Sequence, residues 1–111
     1  MELDMTTFQE LKDMSGADFI DELVNTFLED APNLVNEMRS ALKVGDAEAF
    51  RRAAHSLKSN SATFGATRLS GLAKELEMLG KENRLSEAES KLGPLEEVLH
   101  SVEAELRGLR Q

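Results

Sequence analysis

Covalent chemistry has few places to start in this sequence. It holds no cysteine and two histidines, His55 and His100. A thiolate nucleophile, a disulfide and a cysteine-ligated metal are therefore excluded, and the histidine count argues against a multi-histidine zinc site. There is no Gly-rich phosphate loop of the Walker kind and no kinase-like glycine cluster, so no nucleotide site of those types is expected. His55 is the informative position. At 100° per residue it lies about 100° from Ala54 and about 160° from Leu57, off the apolar stripe of its helix. It should face solvent near the middle of that helix. Its face is shared by residues three, four and seven steps away. These are Arg51 and Arg52 on one side and Lys58, Ser59 and Ala62 on the other.

An acidic chain thus places a local basic cluster around one exposed imidazole. Phosphoryl chemistry suits that arrangement. A neutral imidazole is a competent nucleophile near pH 7, because its reference pKa is about 6.5. Nearby cations favour the neutral form and stabilise an incoming anion. Small residues at Ser59 and Ala62 leave room for a phosphoryl group. Spacing alone does not separate His55 from the many surface histidines that stand beside Arg or Lys and do nothing. His100, off the Leu99/Val102 seam, reads as such a solvated residue.

The remaining charged clusters read blandly. Asp18, Asp21 and Glu22, or Glu96 and Glu97, lack the alternating oxygen ligands and glycine of a calcium loop. The Glu75 and Glu77 pair with Lys74 reads the same way, as a solvated helix face. Met38 is expected to pack, with Met5, Met14 and Met78 where they are by chance.

Composition sets the frame. The 111 residues carry 13 basic and 21 acidic side chains, a net charge of −8. That sign opposes binding to nucleic acid or to an anionic membrane. No apolar run approaches the ~20 residues of a membrane span. The first residues, MELDMTTFQE, lack a signal peptide's basic start and apolar stretch, so a cytoplasmic protein is expected.

Helical spacing recurs along the whole chain. Thr7 and Glu10 fit a capping box opening a short first helix that directs Phe8 and Leu11 inward. A second segment, 17–44, carries a stripe of Phe19, Ile20, Leu23, Val24, Phe27, Leu28, Ala31, Leu34, Val35, Met38, Ala41 and Leu42. Pro32 interrupts it without changing the apolar phase, which predicts one long helix bent there; a break at Asp30 is the competing reading. Asp46 caps a third helix running to about Thr63, with Phe50, Ala53, Ala54, Leu57, Ser61 and Phe64 inward. A fourth covers about 66–79, ended by Gly80. The fifth opens on a capping box at Ser86 and Glu89 and carries a seam of Ala88, Leu92, Leu95, Leu99, Val102, Leu106 and Leu109 through Gly93-Pro94. The expected fold is a single all-α domain over residues 1–111, an antiparallel four-helix bundle whose short N-terminal helix caps one end.

The stretch from Ala54 to Gly65, AHSLKSNSATFG, resembles the signature of histidine phosphotransfer (HPt) domains. The family pattern is His-x-Leu-Lys-Gly, a small-residue stretch, and a Gly ten positions after the His; His55, Leu57, Lys58 and Gly65 match it. The likeness extends through Phe27–Pro32, Gly45-Asp46-Ala47 and Leu69–Leu79. It implies that His55 is the phosphorylated residue and that Lys58 stabilises the phosphoryl group. Position 59 departs from the pattern: Ser59 stands where the family usually has glycine, small enough to leave space and able to donate a hydrogen bond to a phosphoryl oxygen. The implied activity is reversible phosphoryl exchange with the aspartate of a response-regulator receiver domain in a two-component phosphorelay. The implied partners are receiver domains and a histidine kinase. The chain would be a monomeric phosphocarrier rather than an enzyme, with no cofactor of its own and Mg²⁺ held only by the receiver. The alternative is a helical-bundle module that docks a receiver or kinase without carrying phosphate.

Overall fold

The computed structural model describes residues 1–110. Five helices account for nearly all of them: α1 (Met5–Ser15), α2 (Ala17–Val44), α3 (Ala47–Thr63), α4 (Thr67–Lys81) and α5 (Leu85–Leu109). Among the described residues there is no strand, and one isolated antiparallel bridge joins Leu3 to Ala66. The protein is all-α. Helix α3 packs most extensively against α4 and α2, while α5 packs on α4 and α2 and completes a ring; α1 lies against α2 and α3. At 1.5 Å per residue the 28 residues of α2 span about 42 Å, the full 42 Å length of the molecule.

Helix α2 passes through Pro32 without a break. Proline removes one hydrogen bond to the carbonyl of Leu28, and the unbroken apolar row offsets that loss. Ile20, Val24 and Phe27 are buried before the proline, Ala31 beside it, and Val35, Met38 and Ala41 after it. Phe19 does not join the row. It is 51% exposed, because the covered face is narrower than the apolar stripe and Phe19 lies on its flank in the first turn. Helix α5 likewise runs through Gly93-Pro94, with Ala88, Leu92, Leu95, Leu99, Val102 and Leu106 buried as the seam predicts.

Three helix ends differ from expectation, each through competition among possible caps. Asp4, not Thr7, caps α1: its Oδ1 accepts from the Thr6 amide at 3.1 Å, and the Thr7 hydroxyl donates to Oδ2 at 3.0 Å. Gly80 does not end α4. Asn83 takes the left-handed conformation (φ 58°) that reverses the chain, so the helix continues through Gly80 to Lys81. Ser86 does not cap α5, which starts at Leu85 without a side-chain cap; Arg84 pairs with Glu87 across the first turn.

The chain's first residues form a strap over one end. The Glu105 carboxylate accepts from the amides of Glu2 (2.6 Å) and Leu3 (3.2 Å), and Leu3 is buried. Next along, the Asp4 amide donates to the Gly65 carbonyl at 2.8 Å. Underneath, Phe64 packs edge-on against Phe27 with ring centres 5.5 Å apart and also meets Phe8 at 6.5 Å. Gly65 holds φ at 74°, and a Cβ there would stand 2.9 Å from both the Asp4 carbonyl oxygen and Thr7 Cβ. Side chains are disfavoured on both counts. Gly65→Ala should therefore lower unfolding free energy by about 2 kcal/mol, the left-handed penalty plus the crowding. The urea midpoint checks this; an unchanged midpoint contradicts it.

Candidate functional site

Helix α3 presents two faces. Phe50, Ala53, Ala54, Leu57 and Ser61 are buried, and the Ser61 hydroxyl is satisfied by the Leu57 carbonyl at 2.6 Å. His55, between Ala54 and Leu57 in sequence, is turned outward, its side chain 53% exposed. Lys58 lies one turn on, more covered at 29%. The small residues Ala54 and Ala73, both fully buried, let α4 run close alongside. The Ser70 hydroxyl of α4 donates to the Lys58 carbonyl at 3.1 Å and ties the two backbones together here.

From that neighbouring helix comes Glu77. One carboxylate oxygen lies 2.7 Å from Nδ1 of His55, and the other 2.7 Å from Nζ of Lys58. Its side chain is only 14% exposed. Glu77 is thus no solvated residue, as the Glu75/Glu77 pattern implied; it is the third member of the site. Glu75 is the solvated one, 3.7 Å from Lys91. The reason lies in helix rotation: Glu77 follows the buried Leu76 and flanks the seam toward α3, whereas Glu75 points away.

The electrostatics of Glu77 oppose one another. Burial, the largest influence, pushes its pKa up. Hydrogen bonds from Lys58 and His55, with their charges, outweigh burial and leave the pKa below the ordinary 4.5. Glu77 is therefore ionised near neutral pH and can only accept hydrogen bonds. A neutral His55 must then carry its proton on Nδ1. The lone pair is left on Nε2, on the edge of the ring away from Glu77. The carboxylate fixes both the tautomer and the plane of the ring.

The other predicted neighbours are dispersed. Ser59 and Ala62 are exposed beyond His55. Arg51 bonds Glu48 on its own helix. Arg52, exposed, lines an open groove between α2 and α3 with Asn36, Ser40 and Ser56. Lys58 is the cation paired with the carboxylate that holds the imidazole, and Arg51 also feels the charge of Glu77. His100 is exposed on α5, as expected. Met38 is buried, and Met14 and Met78 are exposed. Among the described residues no group of three or more His, Asp or Glu side chains is placed to hold a metal. None of the helices is long and apolar enough to cross a membrane.

With the geometry in hand, comparison with known proteins is informative. The family described as the Hpt domain matches residues 22–111. Among solved structures, histidine-containing phosphotransfer protein B (HptB) from Pseudomonas aeruginosa PAO1 is similar: 31% identical, with 99% of this chain and 95% of that one covered and a TM-score of 0.93. No curated protein matches in a sequence comparison.

Proposed function

Because this chain belongs to the Hpt domain family, whose members carry phosphoryl groups in phosphorelays and are not kinases, we propose that His55 is its phosphoryl-accepting residue and that it exchanges the group reversibly with a receiver aspartate. The observation that carries this reading is the pairing of an exposed His55 with Glu77 through Nδ1, which leaves Nε2 as a free nucleophile. In the forward step the Nε2 lone pair attacks the phosphorus of the receiver's aspartyl phosphate. The N–P bond forms, the P–O bond to the aspartate breaks, and the carboxylate leaves with the electron pair. Nδ1 keeps its proton throughout, so the phosphorylated ring is an imidazolium whose positive edge rests on Glu77. The reverse step returns a neutral imidazole as the leaving group.

Lys58 begins the cycle shared with Glu77 and turns its ammonium to the phosphoryl oxygens as they arrive. Ser59 leaves room on the same face and offers a hydroxyl to a phosphoryl oxygen. Mg²⁺ belongs to the receiver's acidic pocket. We read α2–α5 as an antiparallel four-helix bundle covered at one end by α1, a single domain that works as a monomer. Its task is to hold one imidazole still and exposed while the partner closes around it.

The test is to mix the protein with phosphorylated receiver domains and follow an acid-labile, base-stable label. Transfer is the expected result. Binding without transfer across several receivers would favour a docking module that carries no phosphate. For Lys58→Ala, transfer should slow about tenfold, the lower end of what a charged hydrogen bond contributes at an exposed site. Helix content by circular dichroism should not change.

A further inference from the structure

Gly80 lies in the last turn of α4, one residue before its end, with no positive φ that would require a glycine there. It is buried against α3. A Cβ added there would stand 3.1 Å from Cδ1 of Phe50 and 3.2 Å from both Cα and Cβ of Arg51. Such distances are shorter than ordinary carbon contacts, and neither neighbour can easily give way: Arg51 Cα is backbone, and Phe50 is fully buried in the core. The two helices run in opposite directions at this crossing. Arg51 faces Gly80, and one turn further along α3 and back along α4, His55 meets Glu77 at 2.7 Å. A close approach of the two backbones therefore sits one turn from the contact that sets the imidazole tautomer.

We infer that Gly80 is a positioning residue for the phosphoryl-accepting nitrogen: by letting α4 close onto α3, it brings the Glu77 carboxylate within reach of Nδ1 of His55. This rests on the reading of His55 given above for its functional meaning, but its geometry can be tested without any phosphoryl transfer. A methyl group at position 80 forces α4 outward by a few tenths of an ångström, and a branched side chain forces it further. Glutamate at position 77 is then drawn back from the ring. As the hydrogen bond weakens, His55 moves toward the Nε2-protonated tautomer that histidine prefers in water, and the nucleophilic lone pair is lost from Nε2.

The experiment reads the ¹⁵N shifts of Nδ1 and Nε2 in histidine-labelled protein on the alkaline plateau of a pH series, where the shifts no longer change. Exposed His100 serves as an internal reference. The Nδ1-protonated share of His55 should fall in the order wild type, Gly80→Ala, Gly80→Val, with a severalfold loss in the last. The control is Gly71→Ala, on the same helix with nothing within 4 Å of the added Cβ, which should keep the wild-type tautomer. A folded Gly80→Val protein with the wild-type tautomer overturns the proposal. Should Gly80→Val not fold, the folded Gly80→Ala protein decides, since the methyl group alone already crowds Phe50 and Arg51. A shifted tautomer there supports the proposal, and an unshifted one overturns it. A wild-type protein that shows the Nδ1 tautomer but accepts no phosphoryl group would sink the proposed function and leave the role of Gly80 standing.

Discussion

His55→Gln reduces phosphoryl acceptance by at least about 10³-fold, to the background of the assay, because no other competent nucleophile shares that face. Ser59 and Lys58 remain beside it, but a hydroxyl and an ammonium are poor nucleophiles near pH 7. Glutamine is the informative replacement. Its amide can still donate to Glu77, so the α3–α4 contact and the Lys58–Glu77 pair survive. Circular dichroism and the thermal midpoint should therefore match wild type within error, while the acid-labile label vanishes. A label that persists in this variant moves the site elsewhere.

Glu77→Gln is the second large effect. Transfer should fall about 10- to 100-fold, the range typical when a residue orienting a histidine is removed. It should stay short of the ~10⁴-fold loss found where the histidine must both take and give a proton. The cause is chemical ambiguity rather than lost packing. A carboxylate can only accept, and so it dictates Nδ1–H; a carboxamide can turn its NH₂ toward Nδ1 and stabilise the opposite tautomer. Lys58 loses its anionic partner at the same time. Stopped-flow or quenched transfer assays would measure the change, with Glu75→Gln as the comparison. Glu75 is exposed and touches neither His55 nor Lys58, so its variant should transfer at the wild-type rate. Equal losses in the two variants would mean that overall charge, not the bond to Nδ1, is what matters.

Much of this protein can be read along single helices. His55 and Lys58 were accessible because their relation is local: three residues on one helix fix a shared face whatever surrounds it. The long α2 was readable through Pro32 for the same reason, since the apolar phase carries across a lost hydrogen bond. Glu77 was not accessible. It lies 22 residues from His55, on another helix, and its position depends on how α4 is rotated and how closely it approaches. A signal did exist, in its place directly after Leu76 on the edge of the inward stripe with a small residue three positions on. Only the register between α3 and α4 distinguishes that from the Glu75 pattern. Helix ends were misread where several residues could do the same work. Asp4 is held by the Gly65 carbonyl and so outcompetes Thr7, and Asn83 supplies the left-handed turn that Gly80 was expected to make. Neither contest can be judged from the sequence near the end alone.

The placement of Glu77 also bears on how long a bound phosphoryl group lasts. Hydrolysis of a phosphohistidine in water needs no partner and is fastest when the ring is protonated, because a neutral imidazole then leaves; this is why the label is acid-labile and base-stable. Glu77, the carboxylate that contacts the imidazole, is committed to Nδ1, across the ring from Nε2. It is thus turned away from any water that could attack a group on Nε2. The same side chain that readies the nucleophile keeps Nδ1 protonated after transfer, which eases loss of the group to water as well as to a receiver, although it gives that water no general-base help. The proposed chemistry therefore holds the group in a labile form, suited to rapid exchange rather than to long storage.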